Sequence, residues 1–253
     1  MFARKQRIVF LFLFPDCATI IIIAIDFLGH YFYKHPLPID KMEKVSFVTA
    51  DGVTIAGNYW QGSSAAVLLL HMMPAAKESW NPFAKILNKN GFSILAIDLR
   101  GHGESTKQGG KELDFRKFSD ADHQASIKDA EAGIEYLKGR GAKKTFIAGA
   151  SIGANLALLY QSQHPEIEKT VLLSAGMNYR GVLVEPAARR LQAGQASFIA
   201  EGSSDSSCSG AAVKLGGMIK NSKTRSYYTA AHGTSLFTEQ PQLMKEIVEW
   251  LKK

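Results

Sequence analysis

Cysteine is scarce: Cys17 and Cys208 are the only two in 253 residues and lie in unrelated segments, so no disulfide framework can be read from their spacing. With no CxxC pair and no Cys/His cluster, the ligand spacing of a structural zinc site is missing too. No internal repeat is present, and low complexity is confined to the short loop GSSDSSCSG at 202–210. A dense basic stripe is also lacking. Lys plus Arg exceed Asp plus Glu by 30 to 23, a net charge of +7. The excess is scattered over Arg4, Lys5, Arg7, Lys143, Lys144, Arg189, Arg190, Lys252 and Lys253. Such a surface argues against nucleic acid and suits a solvated face near anionic lipid.

What is abundant is apolar: 46% of residues are hydrophobic, including 14 Phe, 8 Tyr and 3 Trp. That is enough for one large core without metal or disulfide, and it excludes disordered and fibrous classes.

The N-terminus stands apart. After Arg4, Lys5 and Arg7 comes IVFLFLFPDCATIIIIAI at 8–25, which extends through Phe27, Leu28, Tyr31, Phe32 and Tyr33 to about 25 residues with an interfacial aromatic belt. Asp16 would cost about 2.5–3.5 kcal/mol at mid-membrane, less than the surrounding run returns. No small-x-small cleavage site follows Ile25, and Cys17 follows Phe14, Pro15 and Asp16 rather than small residues, so neither a signal peptide nor a lipoprotein is favoured. The expectation is an uncleaved, single-pass membrane anchor at 1–34. Its N-terminus would lie inside and the domain at 35–253 outside the cytoplasm.

Beyond the linker prolines Pro36 and Pro38 the pattern is an alternation. Two β-rich runs, 45–49 and 53–59, flank Asp51-Gly52, a strong hairpin signal. Short and nearly continuous apolar runs follow at 67–70, 93–97, 145–148, 170–173, 197–200 and 225–229, as expected of strands buried on both faces. Helical patterns fall between most of them, at 80–89, 121–138, 152–161, 186–191, 210–219 and 240–251. The expected fold is α/β: a doubly wound, mostly parallel sheet of eight strands, the second antiparallel. Ligands in such sheets bind at the carboxyl ends of the strands.

One strand end carries G-x-S-x-G. Thr145-Phe146-Ile147-Ala148 runs into Gly149-Ala150-Ser151-Ile152-Gly153 and then an Ala/Leu-rich helix, the strand-to-helix turn that projects a nucleophilic serine. Ser151 is the candidate nucleophile. A hydroxyl needs a base, and the base an orienting carboxylate, in the chain order Ser, acid, His. Beyond Ser151 there are two histidines. His164 precedes Pro165 at a helix end, where capping explains it. His232 lies in a loop after a strand, at a carboxyl edge, and is the candidate base. Asp205, in the Gly202-Ser203-Ser204-Asp205 loop, is the candidate acid, with Glu201 the alternative.

These residues resemble the α/β-hydrolase superfamily, and within it the bacterial serine esterase and lysophospholipase-like members. The resemblance covers about 45–251. It is carried by LLLHMMPAAKESW at 68–80, DLRGHGES at 98–105, GASIG at 149–153, and the Gly-Ser-Ser-Asp and Ala-His-Gly loops. It implies that His71 opens an oxyanion loop in which the backbone N–H of Met73 pairs with that of Ile152. Met72 stands where the family usually has Gly, which reduces the freedom of that loop. By the same resemblance Asp98, Arg100 and His102 are hydrogen-bonded supports below the site and not catalytic.

The interval 174–196, where relatives often insert a lid domain, holds only about twenty residues. It can offer one short helix, with Tyr179, Leu183 and Val184 as apolar contacts. An open site of this kind suits a small-molecule acyl ester or thioester, with no cofactor and no metal. Membrane lipid is the other expected partner, through the N-terminal segment; the number of subunits is not legible. Two alternatives stand beside the hydrolase: peptidase- or haloperoxidase-like chemistry on the same triad, and a non-catalytic scaffold, which would be expected to lack a triad member.

Overall fold

The computed structural model describes residues 41–253, so the expected N-terminal anchor lies outside the described residues. Among the described residues no helix is long and apolar enough to cross a membrane.

The hairpin signal holds: β1 (Met42–Val48) and β2 (Val53–Trp60) pair antiparallel with Val48 opposite Thr54, around Gly52 at φ 84°. Thereafter strand and helix alternate. β3 (Ala65–Leu70) leads to α1 (Asn81–Lys89), then β4 (Ser93–Ile97), and α2 (Asp120–Gln124) and α3 (Ile127–Gly139) precede β5 (Lys144–Ala150). Next come α4 (Ile152–Gln163), β6 (Lys169–Leu173), α5 (Glu185–Arg190), β7 (Ala196–Gly202), α6 (Ala211–Met218) and β8 (Ser222–Tyr227). The chain closes with α7 (Leu236–Glu239) and α8 (Gln242–Lys252).

The strands are ordered β8-β7-β6-β5-β3-β4-β2, with β1 on β2. From β3 to β8 all pairings are parallel, and β2 runs antiparallel to β4. The eight expected strands are therefore present. A ribbon of two two-residue strands at Lys107–Gln108 and Lys111–Glu112 extends the sheet to ten.

Alternating side chains divide the core in two. Leu68, Leu70, Leu95, Ile147, Leu172 and Ile199 face the cluster that includes Ile134 of α3, Leu156 of α4 and Leu215 of α6. Val67, Leu69, Ile94, Phe146, Val171 and Phe198 face Phe83 and Leu87 of α1 and Leu243, Ile247 and Leu251 of α8. Both faces of the central strands are thus covered, which is why those runs are continuously apolar rather than alternating.

The helix expected over 121–138 is two helices, separated at Ala125-Ser126, where Ser126 is buried and precedes α3 as its N-cap residue. The interval after β6 holds more than the one expected helix. A small hairpin, Asn178–Tyr179 paired with Val182–Leu183, comes before α5. Arg180 and Gly181 turn it with φ of 51° and 78°.

Candidate active site

Ser151 stands between β5 and α4 with φ 54° and ψ −120°, a conformation that non-glycine residues rarely adopt. The two glycines around it show why the turn can form. A Cβ on Gly149 would lie 2.1 Å from the Gly153 carbonyl oxygen, and one on Gly153 would lie 2.3 Å from the Leu70 carbonyl oxygen. Helix and strand backbones touch here, leaving no room for a side chain. Gly153→Ala must therefore push backbone apart; we expect a loss of about 3 kcal/mol. That is a fall in melting temperature of roughly 6–12 °C by calorimetry. The strained serine is pinned by its N–H, which donates to the Leu173 carbonyl of β6 at 2.8 Å. Ile152 is the first residue of α4, so its N–H has no carbonyl a turn behind it within the helix.

Asp205 and His232 meet. Gly202 ends β7, the next loop carries Asp205, and His232 follows β8; the loops are joined by the Ser204 N–H donating to the Thr229 carbonyl at 3.0 Å. His232 Nδ1 donates to Asp205 Oδ2 at 2.5 Å. The Asp205 carboxylate also accepts from the Ser207 hydroxyl at 2.5 Å, the Ser207 N–H at 3.1 Å and the Cys208 thiol at 3.1 Å. Burial works to raise its pKa, but these donors from Ser207, Cys208 and His232 outweigh it and hold the carboxyl below its ordinary value. With Nδ1–H engaged, Nε2 is left with its lone pair, the tautomer that a proton acceptor needs.

The loop after His232 packs onto the elbow. A Cβ on Gly233, whose φ is 56°, would lie 3.2 Å from Ala150 Cβ and 2.4 Å from Met72 Sδ. Met72, the departure from the family's glycine, thus fills space against the residue beside His232.

The loop at 71–73 is held from below by His71, which is fully buried. Its Nδ1 donates to the Met72 carbonyl at 2.8 Å and its Nε2 accepts the Leu99 N–H at 2.9 Å. Burial, with His102 beside it, pushes the imidazole down to about 4, so it stays neutral and keeps both bonds. Asp98, Arg100 and His102 are supports, as expected. Asp98 binds the Lys77 ammonium at 2.6 Å and the Glu104 N–H at 2.9 Å, and Arg100 grips Asp129 and Asp51. His102 is stacked on Phe115 with centroids 3.9 Å apart.

The alternatives lie elsewhere. Glu201 accepts the Gly210 and Ala212 N–H groups at 3.3 and 2.9 Å, at the start of α6. His164 stacks on Tyr160 at the end of α4, with Glu166 3.4 Å from its Nδ1.

Three contacts were not foreseen from sequence. Tyr179, from the lid hairpin, sets its ring perpendicular to that of His232 at 6.3 Å and donates to the Ser207 carbonyl at 3.2 Å. Burial raises its phenol above the ordinary value, while Ser207 and Ser151 beside it act the other way. Asn155, one turn past Ser151, is fully buried and donates to the Gly176 and Val182 carbonyls at 2.9 and 2.8 Å, fastening the hairpin to α4. Ser174 accepts the N–H of Gly233, next to His232, on its hydroxyl at 2.8 Å.

Fold and site together define an α/β-hydrolase. More narrowly, the chain belongs to the serine aminopeptidase S33 family, whose model it matches over residues 61–247. It is 33% identical over 130 residues to a bifunctional esterase/perhydrolase of Acinetobacter calcoaceticus, 50% of this chain and 43% of that one. It is 31% identical over 132 residues to a non-heme haloperoxidase of Rhodococcus erythropolis, 51% of this chain and 43% of that one. The chain thus spans less than half the length of these relatives. Among solved structures, an esterase of Pyrococcus furiosus superposes with a TM-score of 0.69 at 21% identity, covering 84% of this chain and 92% of that one.

Proposed function

We propose that the protein is a serine hydrolase that cleaves carboxylic esters or thioesters through an acyl-enzyme. The observation that carries the reading is the Asp205–His232 pair on strand-end loops packed against the strained elbow of Ser151. Ser151 Oγ attacks the acyl carbon and His232 Nε2 takes its proton, while Asp205 stabilises the imidazolium. The N–H groups of Met73 and Ile152 receive the tetrahedral oxyanion, with the positive end of α4 behind it. Collapse expels the alcohol or thiol, which takes the proton from His232, and water repeats the sequence to free the acid. The esterase named among the relatives supports the ester as substrate. The scaffold alternative would lack a triad member, and a residue of the required type at each position favours the hydrolase over it.

A p-nitrophenyl ester chain-length series, run beside a thioester and aminoacyl amides, tests this. Turnover of esters or thioesters well above amides is expected. The family's description and the haloperoxidase relative support the second reading, amide cleavage or peroxide-dependent chemistry on the same three residues. Amide turnover exceeding ester turnover would establish it.

We further propose that the segment 8–33 holds the protein in a membrane with the domain outside the cytoplasm. Burial of Ile8, Phe10, Leu11, Leu13, Ile20, Ile21, Ile22, Ile23 and Ile25 exceeds the few kcal/mol charged to Asp16. Full-length protein should stay in the membrane fraction through a high-salt wash that would release an electrostatic attachment. Recovery in the soluble fraction, or a chain shortened at its N-terminus, would remove the anchor.

A further inference from the structure

Ser174 follows β6, and its φ of 50° makes it the second strained serine of the site after Ser151. It is fully buried. Such conformations persist where the surroundings over-determine them, and they gather at functional sites. Every polar group of Ser174 is tied to a different part of the site. Its N–H donates to the Ala200 carbonyl of β7 at 2.7 Å, and its carbonyl accepts the Tyr179 hydroxyl at 3.4 Å. Its Oγ accepts the N–H of Gly233, the residue after His232, at 2.8 Å. The same hydroxyl lies beside the Cys208 thiol, which donates to Asp205 Oδ2. The contacts close a ring: Gly233 to Ser174, Ser174 to Cys208, Cys208 to Asp205, Asp205 to His232. Three separate strand ends are joined in it.

A hydrogen bond to the peptide that follows a side chain sets where that side chain's Cα sits. We infer that Ser174 is a positioning residue for His232: its hydroxyl fixes the His232-Gly233 peptide so that the imidazole bridges Asp205 and Ser151. The inference rests on the serine-hydrolase reading for the role of His232, though the geometry it concerns exists without it. Without the hydroxyl, the buried Gly233 N–H loses its acceptor and the peptide can turn.

Two variants of the full-length chain separate the hydroxyl from the strain. Ser174→Ala keeps the backbone cost and removes Oγ; Ser174→Gly removes both. If the hydroxyl positions the base, both lose about 10- to 100-fold in kcat toward a p-nitrophenyl ester with KM little changed, whatever their melting temperatures. The low-field proton resonance of the His232 Nδ1–H should also shift or broaden in both. Wild-type kcat and an unmoved resonance in Ser174→Gly would overturn the inference, and the glycine variant serves even if the alanine variant does not fold. A moved resonance in the Ser174 variants together with full turnover in His232→Ala would instead leave the positioning in place and remove the base reading.

Discussion

Ser151→Ala should abolish labelling by a fluorophosphonate probe and bring ester turnover close to the uncatalysed floor. The probe reacts only with an activated oxygen, and the hydroxyl at the strained turn is the one carried by the elbow motif. Removing a nucleophile that works with its base as a unit costs several orders of magnitude, up to about 10⁶-fold. The fold should survive, because alanine is smaller than serine and the pinning bond runs from the backbone N–H to Leu173. An unchanged melting temperature with no labelling is the expected pair of results. Labelling retained in the variant would place the nucleophile elsewhere.

Much of the fold was legible because the parallel strands lie between two layers of helices. Runs such as Val67-Leu68-Leu69-Leu70 contribute alternately to the two core clusters, so no polar interruption breaks them. The lid hairpin was missed: its strands are two residues long and carry no periodicity, and the only signal was Gly181 after a residue forced to positive φ. The break between α2 and α3 has no glycine or proline to mark it. The last strand was placed too late, at 225–229 rather than Ser222–Tyr227, because β8 is a half-exposed edge and Ser222, Lys223 and Thr224 are polar.

In the site, the pattern that could be read was covalent and local. G-x-S-x-G names its own turn, and the order Ser, acid, His narrows the remaining histidines to two. What could not be read are residues whose work is tertiary. Ser174 ends a strand with no motif around it, and Asn155 looks like any polar residue on a helix until its amide is seen to bridge Gly176 and Val182. Cys208 looked idle as an unpaired cysteine. Burial pushes its thiol up to about 12, so it remains protonated and serves as a donor to Asp205. The choice of Asp205 over Glu201 was a matter of loop position in sequence. In the structure Asp205 is bonded to His232, while Glu201 is taken by the backbone of α6.

Asp205→Asn should leave the fold and probe access in place and lower kcat by about 10⁴-fold, the scale set by losing the orienting carboxylate of a triad. The amide is nearly isosteric and its oxygen can still accept from the Ser207 N–H and hydroxyl, so the loop at 203–209 has reason to keep its shape, while the Cys208 thiol, which shares Oδ2 with His232, loses its acceptor. What changes is at His232. The amide NH₂ can donate to Nδ1, which turns the imidazole to the tautomer with its proton on Nε2, where it cannot take the proton of Ser151. The imidazolium formed during attack also loses the negative charge that now lies 2.5 Å from Nδ1. Glu201→Gln should act differently: with its carboxylate bound at the start of α6, it is expected to lower stability and leave kcat within a few-fold of wild type. The pair of variants, measured together for kcat and melting temperature, decides the acid. Full turnover in Asp205→Asn with collapse in Glu201→Gln would transfer the role to Glu201.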